Sequence, residues 1–396
     1  MHSNNGNRYF AFFILCLLFS PAAAATQTTD SLLSVIERNN STLAALRLDT
    51  DAEKLANRTE TYLANPEVGL AYLWGNPSAI GRRQDYSISQ PLDIATLSGS
   101  RSRLADRKDD AAEWKYLSER KAILTEARRL IVDAIYYNAV LAEQRRRADI
   151  ADRLVTAQRR SLDAGNSNKL DYNNLRLSAS TLHADIMQTE AERDAVLADL
   201  ARLNGGNAVT ITTTTYDDDD LPPSFDEWYA VASQTDPVLA SMRSAIDVSR
   251  QQLTVTQQQN MPSLSVGYMG EKTAGELYHG ISLGISVPLW GNRSRVRQAR
   301  AAIAAAEQRD ADARQQYYST LQIQYQRTVA LRHTADALRQ ALSESDNTLL
   351  LQKSLAAGEI SVIDYLLQLS QYYDAIDKYL AAEHEYHAMS RLWREV

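Results

Sequence analysis

The chain reads as a mainly α protein with a small β part, made of two structural repeats of one plan: helix, β-hairpin, long helix, helix. Three observations predict it. Two pairs of short segments alternate large apolar with small or polar residues at a period of two, the signature of strands with two unlike faces. After each pair the chain runs for about sixty residues without proline or internal glycine, rich in Ala, Arg, Leu and Glu, as a long coiled-coil-like helix does. Landmarks of the first half also recur in the second at matched spacing.

At the N-terminus, Arg8 precedes an apolar run at 10–19, then Pro21 and small residues at 22–25. This is the pattern of a secretory signal peptide over 1–25. The only cysteine, Cys16, lies inside that run and lacks the small-residue approach of a lipoprotein signal. The exported chain is therefore expected to be free of disulfides and thiolate metal sites. The formal net charge of −7, with no basic cluster, argues against nucleic acid as a partner. Beyond the signal no apolar run approaches the ~18–20 residues of a membrane-spanning helix, so any crossing must be made by strands.

Repeat 1 covers 26–208. A helix is expected over 30–63, with Leu32, Leu33, Ile36, Leu43 and Leu46 at helical spacing, ended by Asn65 and Pro66. A hairpin at 68–90 follows. Val68, Leu70, Tyr72 and Trp74 alternate with Gly69, Ala71 and Leu73, and on the return Tyr86 and Ile88 alternate with Asp85, Ser87 and Ser89. The long helix spans 99–164, where Leu117, Leu124 and Ile131 interleave with Ala127, Ala134 and Leu141. Gly165 breaks it before a helix at 169–203. The short helices together nearly equal the long one in length, so stacked end to end they can lie antiparallel along it. An acidic linker or equatorial segment, 209–226, carries Asp217, Asp218, Asp219 and Asp220. Repeat 2 covers 227–396: a helix over 228–260, a hairpin at 263–288, a long helix at 292–356 with Leu331, Ala335, Leu338, Leu342 and Leu349 in heptad positions, and a helix at 362–394.

Four strands with open edges are impossible in lipid, where every backbone group must be paired. Closure with other chains resolves this, and three copies would make a twelve-stranded barrel. Val68, Leu70, Tyr72, Ile88, Leu264, Val266, Ile281, Leu283 and Ile285 would then face lipid, with Gly, Ser and Asp85 towards the lumen and Trp74, Tyr268, Tyr278 and Trp290 at the interfacial girdles. The pattern demands closure and leaves the number of copies open.

The repeat, the Asn65-Pro66 stop, Gln90-Pro91-Leu92 feeding a long helix, and the two turns in which Asp171 and Asp364 follow Gly165 and Gly358 by six residues together resemble the TolC family of outer-membrane efflux proteins. The resemblance covers essentially the whole exported chain. Gln90-Pro91-Leu92-Asp93 and the compact length are most similar to the cation-efflux branch (cobalt–zinc–cadmium and copper–silver types). The resemblance implies a homotrimer with a twelve-stranded barrel in the outer membrane of a Gram-negative-type bacterium, continuous with a helical α-barrel tunnel across the periplasm. It also implies a periplasmic membrane-fusion adaptor, an inner-membrane pump of RND type, and passive conduction of the cargo, metal cations or drugs. The alternatives are a duct for type I protein or peptide secretion and a soluble periplasmic coiled-coil scaffold.

By the same resemblance Asp171 and Asp364 ring the periplasmic aperture, although each also suits the start of a helix as a cap. Ala164, Gly165, Leu170, Ala357, Gly358 and Ile363 form the hairpin tips that dock the adaptor. The chain departs from the family pattern at Leu367, where a second acidic residue is common, and at Ile360, where some members have arginine. His384 and His387, with Glu383 adjacent, have ligand spacing but no third clear ligand, and a solvated face is the expected role, with no metal. No nucleophile elbow, phosphate loop or zincin motif is present, so no enzyme and no cofactor is expected.

Overall fold

The computed structural model describes residues 29–217, 221–288, 292–390 and Trp393. The signal segment, Asp218 to Asp220, Trp290 and the end of the last helix fall outside these residues. The elements are α1 (Thr29–Asn39), α2 (Ser41–Thr59), β1 (Glu67–Trp74), β2 (Arg82–Leu92), α3 (Ile94–Leu97), α4 (Ser100–Asp163), α5 (Lys169–Leu203), α6 (Phe225–Thr235), α7 (Pro237–Gln258), β3 (Ser263–Lys272), β4 (Leu277–Ser286), α8 (Asn292–Glu344), α9 (Thr348–Ala357) and α10 (Val362–Ser390).

Three stretches expected as single helices are interrupted, each by a polar residue that takes over backbone donors. The helix expected over 30–63 ends at Thr59 and is split at Asn40. The Asn40 Oδ1 accepts from the Leu43 amide (2.8 Å), while its Nδ2 donates to the Leu203 carbonyl (2.8 Å), tying the break to the end of α5. The helix expected over 228–260 is α6 and α7, parted at Asp236. That residue is extended (φ −63°, ψ 121°), precedes Pro237, and accepts from the Val238 amide at 2.8 Å. Burial alone would raise the Asp236 carboxyl. Lys121 (2.7 Å), the Tyr317 hydroxyl (2.7 Å) and the cap amides outweigh it and hold the carboxyl below its usual range.

The long helix expected over 292–356 breaks at 345–347, where Asp346 accepts from the Thr348 amide (3.1 Å) and hydroxyl (2.6 Å). The break shifts the helical phase, so Leu349, expected on the heptad seam, is 71% exposed. The first long helix, α4, is uninterrupted for 64 residues. At ~1.5 Å per residue it is about 96 Å long. α1 and α2 pack along its first half and α5 along its second, the end-to-end arrangement their lengths allow. Its buried seam mixes small and large side chains, Ala127 and Ala134 with Ile131 and Leu141, and the alanines let neighbouring backbones approach closely.

The 209–226 segment is not a bare linker. Val209 is buried in a cluster with Ile36, Ile131, Ile135 and Leu200, and Ile211 and Tyr216 pack against it. The Asn138 side-chain amide donates to the Ile211 carbonyl (2.9 Å), fixing the segment against α4. Phe225 opens α6 three residues before the expected helix start. It centres an aromatic cluster with Trp228, Tyr229, Tyr318, Tyr325 and Trp393.

The strands form one antiparallel sheet in the order β1-β2-β3-β4. The helices below keep that order: α2 packs on α4, α4 on α7, and α7 on α8. Among the described residues, the chain is thus a single-layer palisade of helices capped by a four-stranded sheet. Its β1 and β4 edges have no partner strand within the chain.

Candidate functional site

Register assigns every strand residue to a face. Val68, Ile88, Tyr268 and Ile281 are successive cross-strand partners, an apolar row over all four strands. Leu92, Leu264 and Ile285 form a second apolar row, over β2, β3 and β4. The expected lipid-facing residues Val68, Leu70, Tyr72, Ile88, Leu264, Val266, Ile281, Leu283 and Ile285 all share this face and are 40–84% exposed. Tyr86 lies on it too, its ring over Gly270, where a Cβ would collide with the ring. A monomer in water would leave this whole surface uncovered.

The opposite face carries Gly69, Ser87, Ser89, Ser265, Gly267, Ser282 and Gly284. Asp85 is there as expected, joined by Arg83 and Glu271, which sequence reading had passed over. The Arg83 guanidinium bonds to Asp85 (2.7 Å) and Glu271 (3.2 Å). Parity could have found Arg83, two residues before Asp85. Only the β2–β3 register places Glu271 opposite Asp85.

The two helical hairpin ends are built alike. Gly165 (φ 76°) and Gly358 (φ 75°) adopt the left-handed conformation that lets a helix close on its own carbonyls. The Asn166 amide donates to the Ser161 carbonyl and the Glu359 amide to the Ser354 carbonyl, both at 2.9 Å. The helix that follows is capped by Asn168 in one case and by Ser361 in the other, not by the aspartates. Asp171 and Asp364 each stand three residues further on. Their backbone amides donate to the cap side chain (2.8 and 3.1 Å), and their carboxylates accept from it (2.8 and 2.6 Å). Asp364 is exposed and Asp171 half-buried.

Of the expected tip residues, Leu170 (63%) and Ile363 (55%) are exposed apolar side chains, and Ala164, Gly165, Ala357 and Gly358 are exposed. A groove of about 490 Å³ joins the tips, lined by Leu177, Thr181 and Leu182 from α5 and by Ile363 and Leu366 from α10. Removing either cap, by Asn168→Ala or Ser361→Ala, is expected to cost about 1 kcal/mol. Amide hydrogen exchange should show the first turn of α5 or α10 opening about fivefold more often, with the rest of the helix unchanged.

Above the tips, sequence reading missed a buried charge cluster. Arg147 is 5% exposed and bonds to Glu143 on its own helix (2.9 Å) and to Asp377 on α10 (2.7 and 3.1 Å), its guanidinium over the Tyr373 ring at 4.3 Å. Burial would raise the Glu143 carboxyl, but bonds from Arg146 and Arg147 prevail and hold it low. Burial pushes the Tyr373 hydroxyl up to about 12. In sequence these residues are an ordinary charged helix face, and only the packing of α10 on α4 shows that one of them is enclosed. His384 and His387 are not on a solvated face. His384 Nε2 bonds Asp133 (2.6 Å) and stacks on Tyr136, while His387 is buried and stacks on Tyr216. Among the described residues no His, Cys, Asp and Glu group is placed to hold a metal.

The chain thus mounts a sheet with one largely apolar face and two open edges on a palisade of long helices. Residues 228–391 match the family model described as outer membrane efflux protein. Over this segment, in its second half, the chain is similar to outer membrane efflux proteins. Three solved structures share the fold. A membrane protein from Pseudomonas aeruginosa is 15% identical, with 92% of this chain and 91% of that one covered and a TM-score of 0.74. The open-state MtrE outer membrane channel of Neisseria gonorrhoeae is 13% identical (93% and 88% covered, TM-score 0.72). The outer membrane protein VceC of Vibrio cholerae is 13% identical (92% and 93% covered, TM-score 0.70). A search of curated protein sequences returned no significant match.

Proposed function

We propose that three copies of this chain close into a twelve-stranded barrel over a helical tunnel, the passive exit duct of a tripartite efflux system. The observation that carries this reading is the sheet. One face carries apolar residues on all four strands, and among the described residues both edges are unpaired. In lipid each unpaired backbone group costs several kcal/mol, so two open edges would cost roughly tens of kcal/mol, more than a single chain can offset. Strands from further copies remove the cost, and the helix order beneath the sheet lets the same closure continue as a tube.

In this reading the nine apolar strand residues meet lipid, and Arg83, Asp85 and Glu271 line the lumen. Asp171 and Asp364 ring the periplasmic aperture. The tip residues Ala164, Gly165, Leu170, Ala357, Gly358 and Ile363 receive a periplasmic adaptor that links the duct to an inner-membrane pump of RND type. The two halves of the chain are equivalent repeats, each giving two strands and one helical hairpin. The cargo is metal cations or drugs. Purified protein should run as a heat-sensitive trimer on an unheated gel and conduct ions across a planar bilayer. A detergent-free monomer that does not conduct would leave the soluble scaffold as the better reading. Deletion of the gene followed by metal and antibiotic sensitivities then sorts the cargo. Loss of zinc, cobalt, copper or silver tolerance marks cations, loss of drug tolerance alone marks drugs, and neither loss favours protein secretion.

A further inference from the structure

A groove of about 560 Å³ runs over α4 between α5 and α10 and has no part in the duct as proposed above. α4 packs against both of these helices, so the groove lies within one chain. Its floor is an aromatic corner. The Tyr136 and Tyr137 ring centroids are 5.3 Å apart with the planes tilted by 58°, and His384 stacks on Tyr136 at 4.5 Å. The Gln144 side chain also lines the groove, and its Oε1 is buried without a hydrogen-bond partner among the described residues. Its soft terminal torsion lets that oxygen turn to a donor held in the groove.

The walls are acidic. Asp185 and Glu192 stand on α5 and Asp377 on α10, and no lysine, arginine or histidine lines the groove. Asp377 is held by Arg147. The Asp185 and Glu192 carboxylates are exposed and have no partner among the described residues. Burial, with the charges of Glu192 and Asp133 beside it, pushes the Tyr137 hydroxyl up and keeps it a neutral group that can accept from a cation. Glu192 follows Asp185 by two helical turns less about 20°, so the two carboxylates share one side of α5, about 10.5 Å apart along its axis.

A metal ion needs its ligands gathered at one point, and among the described residues no such group exists. The free carboxylates are spread along a line instead, over a floor of aromatic rings. We infer that this groove binds a linear oligoamine of about spermidine's length. Its terminal ammonium groups pair with Asp185 and Glu192, its methylenes and middle ammonium lie over the tyrosine rings, and its N–H groups donate to Gln144 and the phenols. The shorter putrescine cannot reach both carboxylates. Asn138 donates to the Ile211 and Thr213 carbonyls and so faces the 209–217 segment. Val140, which lines the groove, is about 200° round the helix from Asn138, so the groove opens on the opposite side of the palisade. A tube has more room for an added layer outside than inside, which turns the groove towards the tunnel. That placement rests on the duct proposed above, whereas the site itself does not.

Titration calorimetry with spermidine on the full chain in nonionic detergent tests the site, at low ionic strength where exposed charges are least screened. One spermidine should bind per chain, and putrescine about tenfold more weakly. Asp185→Asn with Glu192→Gln changes two exposed side chains to amides of the same shape. It should weaken spermidine about tenfold, the contribution of two exposed ion pairs. Unchanged affinity in that variant overturns the inference. So does loss of binding in Asp171→Asn with Asp364→Asn instead, which would put the ligand at the hairpin tips, or equal affinity for magnesium, which would mean that only charge is read. In planar bilayers spermidine should lower the conductance of the parent and spare that of the Asp185→Asn, Glu192→Gln variant. A conducting parent that binds spermidine with no loss of conductance overturns the placement on the tunnel wall. A parent that binds spermidine and never conducts upholds the site and overturns the duct.

Discussion

Arg147→Met should lower the stability of the folded protein by about 3 kcal/mol, the low end for breaking a buried ion pair. The reason lies in what the guanidinium leaves behind. Its side chain is 6% exposed and that of Glu143 15%, so the Glu143 carboxylate stays enclosed with only Arg146 to compensate it. The Asp377 side chain is 56% exposed and can recover water, which keeps the cost near the lower bound. In detergent the apparent Tm should fall by about 4 °C for a chain of this size. Arg147→Lys should recover only part of this, because an ammonium cannot bridge Glu143 and Asp377 as the planar fork does while covering the Tyr373 ring.

The pH dependence follows with a definite sign. The Glu143 carboxyl is held below its ordinary 4.5 in the folded state, so its contribution is present above that value and is lost as pH falls through the folded value. Removing Arg147 raises the folded value towards or past the unfolded one, so the variant has less stability to lose on the acid side, and its deficit against the parent should shrink as pH falls. Thermal melts between pH 3 and 7 would show it. Identical acid limbs in the two proteins would mean that the pair is solvated in the assembled protein.

Ile281→Arg should all but abolish stable insertion. Ile281 is 79% exposed, midway along β4, in the row with Tyr268, Ile88 and Val68. An arginine on the lipid face near the bilayer midplane costs about 2–4 kcal/mol. That is at least a thirtyfold change in the insertion equilibrium for each chain, and every copy in a closed barrel carries it. The neighbouring Gly280 is the contrast. It lies on the other face, opposite Met269, and a Cβ there would meet no atom within 4 Å. Gly280→Arg should therefore insert normally and alter conductance instead. Membrane fractionation with an unheated gel, followed by planar-bilayer recording, reads both. Equal insertion of the two variants would mean that the apolar face does not meet lipid.

The strands and long helices were legible because their signals are local. Alternation at Gly280 to Ser286 needs only a period of two, and α4 needs only 64 residues without a breaker. The interruptions at Asn40, Asp236 and Asp346 were not legible. Each is a short polar residue whose side chain takes backbone donors, an option open to any Asn or Asp in a helix. What selects these three is their surroundings. Asn40 is tied to Leu203, Asp236 to Lys121 and Tyr317, and Asp346 sits where α9 must start afresh. At the hairpin tips the glycines and acidic positions could be read, but not that Asn168 and Ser361, three residues before the aspartates, are the caps. The charged face around Arg147 was passed over and the histidine pair on α10 misjudged for one reason: a helix in sequence does not show which side its neighbours will cover.

By itself the sequence determined the class of the protein: mainly helical, with strands whose two unlike faces suit a membrane. Those properties follow from periodicity, composition and the placing of Pro and Gly, all of which act within a few residues. Tertiary structure alone decided which charges are enclosed, where the helices break, and that α2 and α8 stand at the open ends of the palisade. These depend on strand register and helix order, which bring together residues such as Arg147 and Asp377, 230 positions apart, that no local pattern connects.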